Sequence, residues 1–436
     1  MDRAIFPAKN IVGGLRLPGD KSISHRYALL GAIAEGETSI RNYAPGADCA
    51  STLRCLGQLA VAISRRRINS PSGEPAEELV LEGRGVGGLQ PPREKLDAGH
   101  SGSTIRMLSG LLAGHAFRST ITGDESLQRR PMKRVIDPLV QMGASIQARD
   151  GNFPPLQIEG GRLHGIEYQL PVAGAQVKSA ILLAGLLAEG ETTVTEPVST
   201  RDHTEIALAQ FGADVVRKRR VVSIRGGSIL RGQKLVVPGD ISSAIFFLCA
   251  ALLFPESNLH LQDVGLNPTR TAVLDFLSSL GARIKVLNIG EVGGELVGDI
   301  HVTGGPLRGG RIEGEMVPAL IDEIPMLAVL GTRTNEGLSL RNAEELRFKE
   351  SDRLATVAEN LRRMGVCVEL HPDGFDIPGG QRLQGAELDS FGDHRIAMAF
   401  TVAALVAEGK SVLHNGEVAA VSFPEFFEEF ERVVER

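Results

Sequence analysis

Apolar stretches of this chain repeatedly end at a Gly or Pro turn, after which a small polar or charged residue opens another apolar stretch. Residues 17–22 (LPGDKS) are the clearest case. They predict the end of a strand, a tight turn, Asp20 as a helix N-cap and a helix that continues to about Glu35. Residues 238–242 (PGDIS) repeat this arrangement. Both segments therefore predict a strand that is followed directly by a helix.

The ends of the predicted helices recur as well. A helix that stops near a Gly and is followed by a short β-prone segment is predicted at 31–40 (GAIAEGETSI), 185–194 (GLLAEGETTV) and 404–413 (ALVAEGKSVL). A hydrophobic residue before Gly-Ala or Gly-Val marks the end of a further helix at 142–144, 211–213, 280–282 and 364–366. One unit of about 70 residues, with two helices, two strands and a hairpin, is therefore expected about six times.

Six such units predict an α/β (α+β) protein of two domains with three units each. The boundary should fall where the Pro-Gly-Asp turn recurs. We expect one domain at 19–238 and the other at 240–436 together with the first strand, 1–18. The chain would then cross twice between the domains, near 18–20 and 238–240, as a two-strand hinge around a cleft that can close. Two tandem domains without a shared cleft are the alternative.

The composition narrows the class of protein. With 436 residues the chain is too long for one typical core, and 42% hydrophobic and 23% charged residues are typical of a globular protein. A net charge of −6, no Trp and three Tyr argue against a nucleic-acid partner. Four cysteines without C-x-x-C spacing argue against a metal site or a disulfide framework. The start of the chain lacks a signal peptide's apolar core, and the longest apolar run, 244–254, is too short for a membrane span, so a cytoplasmic enzyme is expected.

The predicted helix starts carry the candidate chemistry. Lys21, Ser22 and Arg26 lie at the start of the first helix, where free backbone N–H groups and the helix dipole suit a phosphate or carboxylate. An ordinary capped helix with solvated basic side chains explains one such start equally well. Recurrence in a repeated unit favours an anion site, provided that the starts converge. The other starts are predicted near 99–104, 173–176, 240–243, 321–323 and 392–395.

Three loops add further cations, at 126–132 (SLQRRPM), 200–205 (TRDHTE) and 346–353 (LRFKESDR). Arginine suits the two-pronged binding of phosphate and carboxylate. Taken alone, each loop is more typical of a solvated charge cluster.

Taken together, these segments resemble the 5-enolpyruvylshikimate-3-phosphate synthase (3-phosphoshikimate 1-carboxyvinyltransferase) family over nearly the whole chain. The resemblance is carried by residues 17–26, 97–106, 130–132, 176–180, 347–354 and 393–395. It implies two domains of three βαβαββ units with the active site in the cleft between them. The implied reaction moves the enolpyruvyl group of phosphoenolpyruvate to the 5-hydroxyl of shikimate 3-phosphate and releases phosphate, without metal or organic cofactor. The implied protein is a monomer of the shikimate pathway of aromatic amino acid biosynthesis.

The resemblance also implies residue roles. Asp322 would accept the 5-hydroxyl proton, and Glu350 would protonate the methylene carbon, with His394 close by. Lys21 would contact both substrates and take part in catalysis. The other implied substrate-binding residues are Ser22, Arg26, Arg201 and Lys349 for shikimate 3-phosphate, Gly102, Arg130, Arg353 and Arg395 for phosphoenolpyruvate, Gln176 between the two ligands, and Ala175.

Three positions depart from the family pattern. His100 stands where the family usually has Asn beside the phosphoenolpyruvate site, Gly174 replaces a common Ser, and Val421 replaces a frequent Lys. Gly102 is retained, and Ala there is one family route to glyphosate insensitivity. We therefore predict inhibition by glyphosate, weakened to some degree by His100.

Three alternatives stay open at this point. The same chemistry on a nucleotide sugar is the nearest, but that family uses a Cys on a mobile loop and no cysteine here has a matching context. The second is a phosphate-ligand binding protein without turnover. The third, a nucleic-acid-end enzyme on a related repeat fold, is disfavoured by the charge and the scarcity of aromatic residues.

Overall fold

The computed structural model describes residues 2–69 and 75–436, in which helices and short strands alternate. The helices are α1 (Lys21–Ile33), α2 (Ala47–Gln58), α3 (Gly102–Ala113), α4 (Glu125–Gln128), α5 (Lys133–Gln141), α6 (Ala175–Gly185), α7 (His203–Gln210), α8 (Ile241–Leu253), α9 (Ala272–Ser279), α10 (Met316–Leu320), α11 (Ile324–Gly331), α12 (Arg353–Arg363), α13 (His394–Leu405) and α14 (Phe426–Val433), with 3₁₀ turns at Glu344–Phe348 and Gly416–Val421.

The strands run from two to ten residues in length. They are β1 (Arg3–Ile5), β2 (Asn10–Arg16), β3 (Glu35–Arg41), β4 (Ala62–Asn69), β5 (Pro75–Arg84), β6 (Leu96–Asp97), β7 (Arg118–Thr122), β8 (Ser145–Arg149), β9 (Phe153–Glu159), β10 (Leu163–His164), β11 (Glu167–Gln169), β12 (Ala188–Glu189), β13 (Glu191–Thr195), β14 (Val215–Lys218), β15 (Val221–Arg225), β16 (Lys234–Val236), β17 (Asn258–Gly265), β18 (Arg283–Val292), β19 (Glu295–Thr303), β20 (Gly310–Ile312), β21 (Leu338–Leu340), β22 (Glu369–His371), β23 (Gly374–Ile377), β24 (Glu387–Asp389), β25 (Ser411–His414) and β26 (Val434–Glu435).

The chain divides into two compact units. The first consists of Met1–Pro18, Gly239–Gly290 and Leu296–Arg436, and the second of Gly19–Pro238 and Glu291–Glu295. The single strand expected over 1–18 is wrong, because this segment holds two strands in different sheets: β1 pairs with β25, and β2 pairs with β17. Pro7 lies between them and lacks the N–H group that a continuous strand would use.

One strand order recurs among the small mixed sheets. In the second unit the orders are β16-β3-β5-β4, β6-β7-β9-β8 and β11-β13-β15-β14, and in the first unit β20-β21-β23-β22 is the same arrangement. In each, the first two strands are parallel and the remaining pairs are antiparallel. In the first unit, β2-β17-β19-β18 has the same order with β26 added at its edge, and β24-β25-β1 is a three-stranded relative.

The first unit is discontinuous because of two strands. β2 precedes α1 in the chain but pairs with β17, whereas β16 precedes α8 but pairs with β3. Each strand therefore belongs to the sheet of the unit that does not contain the helix following it.

Each unit has its own hydrophobic core around helices that are buried on all sides. In the first unit these are α8, α11 and α13; the Phe247 ring of α8 stacks on Phe430 with 4.1 Å between ring centroids. In the second unit α3 packs closely on α6 because Gly110 has no side chain: an added Cβ would lie 2.2 Å from the carbonyl oxygen of Ala180. Within the described residues, no helix is both long and apolar enough to cross a membrane.

Candidate active site

The start of α1 forms as the sequence predicts. Asp20 is the N-cap, and its side chain accepts a hydrogen bond of 2.9 Å from the backbone N–H of Ile23. Lys21 opens the helix, and its Nζ lies 2.9 Å from Oδ2 of Asp48 in the first turn of α2. The sequence analysis missed Asp48, because an acidic residue at a helix start is ordinarily explained by the helix dipole alone.

Arg26 is a buried cation held by hydroxyl groups. Its Nε donates to Oγ1 of Thr204 at 2.6 Å and its Nη2 donates to Oγ of Ser179 at 2.8 Å. Its Nη1 donates to the backbone carbonyl of Ser22 at 2.8 Å, so the two predicted residues are in contact. Burial lowers the pKa of Arg26 to about 10, so the guanidinium stays charged at neutral pH. A buried cation whose hydrogen-bond acceptors are neutral oxygens suits an anionic ligand.

The start of α3 brings four polar side chains around Gly102. Ser101 caps the helix by accepting from the backbone N–H of Thr104. Arg106 Nη1 donates to Oε1 of Gln176 at 2.8 Å. A Cβ built on Gly102 would lie 2.7 Å from Nη1 of Arg106 and 3.2 Å from Nη1 of Arg130. Arg106 therefore contacts Gln176, and both Arg106 and Arg130 lie beside Gly102. The sequence analysis placed Arg106 at a helix start but gave it no role of its own.

A buried hydrogen-bonded chain connects α1 and α2 with the start of α3. His25 Nδ1 lies 2.7 Å from Oγ1 of Thr52, which lies 2.7 Å from Oγ1 of Thr104, which in turn donates to the N-cap Ser101 at 2.7 Å. Burial lowers the pKa of His25 to about 3, so its ring is neutral at pH 7. The sequence analysis did not identify this role of His25. A histidine next to Arg26 suggests a second cation, and the sequence does not show that burial keeps the His25 ring neutral.

The remaining predicted residues of the second unit lie at other helix starts. Ala175 is the first residue of α6 and follows Gly174, which offers no side chain for capping. Arg201 is half-buried and precedes Asp202, the N-cap of α7. His100 is half-exposed and its Nδ1 pairs with the carboxylate of Asp124, the N-cap of α4. This pair connects the loop before Gly102 to the segment that leads to Arg130.

The first unit gathers the other predicted residues around Asp322, which lies between α10 and α11. Asp322 Oδ1 is 3.7 Å from Nζ of Lys349 and 3.7 Å from Nη1 of Arg353. The backbone carbonyl of Asp322 accepts from Nη1 of Arg395 at 2.7 Å. Three predicted cations therefore contact one predicted carboxylate residue.

Arg353 is fully buried among carboxylates. Its Nε donates to Oδ2 of Asp393 at 2.8 Å, and its Nη2 donates to Oε2 of Glu350 at 2.7 Å. Burial opposes the charge of Arg353, but the carboxylates of Asp393 and Glu350 raise its pKa above the usual value. Burial likewise opposes the charge of Asp393, but Arg353 outweighs it and lowers the pKa of that carboxyl. Within the described residues Nη1 of Arg353 has no hydrogen-bond partner, which leaves one donor for a ligand.

The start of α13 completes this set. Asp393 caps the helix by accepting from the backbone N–H of Arg395 at 2.9 Å, and the buried His394 is its first residue. Arg395 Nη2 donates to Oγ of Ser242, the second residue of α8, at 2.9 Å. Ser242 was noted at a helix start, but its contact with Arg395 spans 153 positions of sequence and has no local signal.

The predicted site residues do not form a metal-ligating cluster in the described part of the chain. A cluster of possible ligand groups does occur elsewhere, at Glu369, His371 and Asp376. There Arg341 donates two hydrogen bonds to Asp376, at 3.1 and 2.6 Å, and lowers the pKa of its carboxyl. A guanidinium so close opposes a bound cation.

These features define a class. In each unit, buried helices begin at positions where cations, carboxylates and hydroxyl groups meet. Such sets suit an enzyme that binds small anionic substrates and moves protons between them.

Comparisons with known proteins identify the family. The family model described as EPSP synthase (3-phosphoshikimate 1-carboxyvinyltransferase) matches residues 5–430. The chain is 56% identical over 435 residues, 100% of both chains, to a 3-phosphoshikimate 1-carboxyvinyltransferase of Solibacter usitatus (strain Ellin6076). It is 51% identical over 433 residues, 99% of both chains, to that of Koribacter versatilis (strain Ellin345). The solved structure of EPSP synthase from Acinetobacter baumannii matches with a TM-score of 0.86 and 42% identity, over 99% of this chain and 98% of that one.

The chain belongs to the EPSP synthase family. It transfers the enolpyruvyl group of phosphoenolpyruvate to the 5-hydroxyl of shikimate 3-phosphate and releases phosphate, in the shikimate pathway of aromatic amino acid biosynthesis. The predicted family, enzyme class and activity are confirmed, as is the mixed α/β fold.

Proposed function

We propose that the two residue sets divide the work of this reaction, with the set around Asp322 carrying out the proton transfers. The observation that supports this most strongly is the gathering of Lys349, Arg353 and Arg395 at Asp322. A carboxylate among fixed cations can take a proton from a hydroxyl while those cations hold anionic substrates.

Shikimate 3-phosphate is bound mainly by the set at α1, α6 and α7. Arg26 supplies a buried guanidinium, and the hydroxyl groups that hold it keep its plane fixed. Ser22 and Arg201 add a hydroxyl and a second cation, and Lys349 binds the same substrate. Ala175, at the first turn of α6, and Gln176 bring a backbone N–H and a side-chain amide to the ligands.

Arginine side chains bind phosphoenolpyruvate. Arg130, beside Gly102, and Arg353 and Arg395, beside Asp322, neutralise its phosphate and carboxylate. Lys21, held by Asp48, contacts both substrates. We expect a monomer to be sufficient for turnover.

The proton transfers use two carboxylates. Glu350 gives a proton to the methylene carbon of phosphoenolpyruvate, with His394 nearby, and the neighbouring carbon becomes cationic. The 5-hydroxyl oxygen attacks that carbon and its proton passes to Asp322, which gives a tetrahedral adduct. Glu350 then takes a proton back from the new methyl group, which restores the double bond as the C–O bond to phosphate breaks, and the leaving phosphate takes the proton that Asp322 received. Every atom of both substrates is accounted for in the two products.

Calorimetry with shikimate 3-phosphate tests the shared use of the two sets. We expect glyphosate, bound in place of phosphoenolpyruvate beside shikimate 3-phosphate, to tighten the binding of shikimate 3-phosphate by at least about tenfold, and shikimate 3-phosphate to tighten glyphosate by the same factor. Arg26→Met should weaken shikimate 3-phosphate binding in both conditions. Equal affinity with and without glyphosate would contradict the proposal that both ligands use one site.

Gly102→Ala should weaken phosphoenolpyruvate and glyphosate together. The new Cβ would lie 2.7 Å from Nη1 of Arg106 and 3.2 Å from Nη1 of Arg130, so both guanidinium groups must move. We expect KM for phosphoenolpyruvate to rise about tenfold, the effect of ~1.4 kcal/mol, and glyphosate inhibition to weaken at least as much. Steady-state titration measures both constants.

Gly57→Ala in α2 is the matched control, because nothing lies within 4 Å of its added Cβ. If glyphosate inhibition is unchanged in Gly102→Ala, or if it changes equally in Gly57→Ala, Gly102 is not part of the binding site.

A further inference from the structure

Glu323 is an unusual residue to find at its position. It directly follows Asp322, is the N-cap of α11 and is only 2% exposed, yet its side chain makes no capping hydrogen bond. A glutamate is almost never fully buried unless it is paired. Its carboxylate must therefore be satisfied elsewhere.

The partner of Glu323 is Ser242, which in turn holds Arg395. The Ser242 hydroxyl donates to Oε1 of Glu323 and accepts from Nη2 of Arg395 at 2.9 Å. Because the hydroxyl proton is committed to Glu323, the lone pairs of Oγ are left for Arg395. Arg395 Nη1 is also 3.8 Å from Oε1 of Glu323, so the same carboxylate attracts Arg395 directly.

A second buried cation balances this group. Arg270 is 5% exposed, and its Nη2 lies 3.9 Å from Oε1 of Glu323 and 3.9 Å from Oδ1 of Asp240. Both separations exceed hydrogen-bond distance, so Arg270 acts on these two carboxylates through its charge. Two carboxylates and two guanidinium groups are thus buried together.

We infer that Glu323 and Ser242, with Arg270 as counter-charge, form a positioning network that fixes the guanidinium of Arg395 for phosphoenolpyruvate. This inference rests on the proposed role of Arg395. The network also reaches the proton acceptor, because Arg395 Nη1 donates to the backbone carbonyl of Asp322 at 2.7 Å. Arg395 is thereby fixed on two sides, by the hydroxyl of Ser242 and by the backbone of Asp322.

The direction in which KM for phosphoenolpyruvate changes distinguishes a positioning role of Glu323 from a purely electrostatic one. Removing the negative charge of Glu323 makes the surroundings of Arg395 more positive, which by itself would tighten binding of an anion. A positioning role demands the opposite, because an untethered Arg395 loses its orientation. We therefore expect Glu323→Leu to raise KM for phosphoenolpyruvate.

Ser242→Ala is the more conservative variant, and it keeps the inference testable if Glu323→Leu does not fold. We expect KM for phosphoenolpyruvate to rise about tenfold, kcat to change less than about threefold and KM for shikimate 3-phosphate to stay within about twofold. Ser242→Thr keeps the hydroxyl and should restore most of the affinity. Glu359→Leu, at an exposed ion pair of α12, is the control for loss of a carboxylate.

Arg395→Met, measured in parallel, separates the inference from the proposed function. If Arg395→Met raises KM for phosphoenolpyruvate but Ser242→Ala and Glu323→Leu do not, the network has no positioning role. If Arg395→Met itself leaves that constant unchanged, the role proposed for Arg395 is wrong. A lower KM in Glu323→Leu would overturn the positioning role in favour of electrostatics.

Discussion

Asp322→Asn should lower kcat by about a thousandfold, within the range that general acid–base groups contribute. Asparagine has the same shape, so the contacts to Lys349, Arg353 and Arg395 keep their geometry, but its amide cannot accept the 5-hydroxyl proton. Release of phosphate under saturating concentrations of both substrates measures the effect. We expect KM values to change far less than kcat, because the cations that bind the substrates remain.

Asp275→Asn, at an exposed position of α9, is the control for this change and should leave kcat as it is. Glu350→Gln is the companion variant, because it removes the second proposed proton carrier while the contact to Arg353 can persist. Full turnover in both Asp322→Asn and Glu350→Gln would show that the proposed proton transfers are wrong.

The helix starts were predictable because their signals are local. Asp20, Asp240 and Asp393 were each placed at a predicted helix start, and each accepts a hydrogen bond from a backbone N–H two or three residues ahead. A cap depends only on neighbouring residues, so the printed sequence holds the whole signal. The same holds for the Gly-ended helices, since a backbone turn of positive φ needs Gly at Gly143 and Gly365.

The partners of the site residues could not be predicted. Arg26 is held by Thr204, 178 positions away, and Arg395 by Ser242, 153 positions away. Such pairs form only when separate helices pack, and nothing in the local pattern indicates them. For the same reason, no local pattern indicated that Asp48 would form an ion pair with Lys21.

The candidate roles came from the resemblance and not from residue patterns. Taken alone, the helix starts left an anion site and an ordinary capped helix as equal explanations, and Asp322 carried no local mark of a proton acceptor. The contacts of Asp322 with Lys349 and Arg353 now give its proposed role a physical basis. The roles themselves stay predictions until the variants are measured.

Arg353→Met should cost about 3–5 kcal/mol of unfolding free energy, because it leaves the carboxylate of Asp393 buried without its cation. Asp393 is completely inaccessible to solvent, and Arg353 is what lowers the pKa of its carboxyl against the opposing effect of burial. Urea unfolding at pH 7 measures the loss. Phosphate release should fall as well, because Arg353 is proposed to bind phosphoenolpyruvate.

The pH dependence of the unfolding free energy tests this prediction most directly. In the unchanged protein the folded state binds the Asp393 proton less readily than the unfolded chain, so its contribution to stability is lost as the pH falls through the acidic range. In Arg353→Met, burial and the neighbouring carboxylate of Glu350 no longer face the opposing charge of Arg353, so we expect the pKa of Asp393 to rise and acidification to recover part of the lost stability. Asp393→Asn in the Arg353→Met background should recover it at neutral pH.

Arg363→Met near the end of the same helix is the matched control. Arg363 forms an ion pair with Glu359 at 3.0 Å, and both side chains are at least a third exposed, so its loss should cost less than about 1 kcal/mol. If the two substitutions cost the same, Arg353 does not sustain a buried charge on Asp393. The large difference we expect would mean that the cation proposed to bind phosphoenolpyruvate also holds the start of α13 together, so that binding and stability depend on one guanidinium.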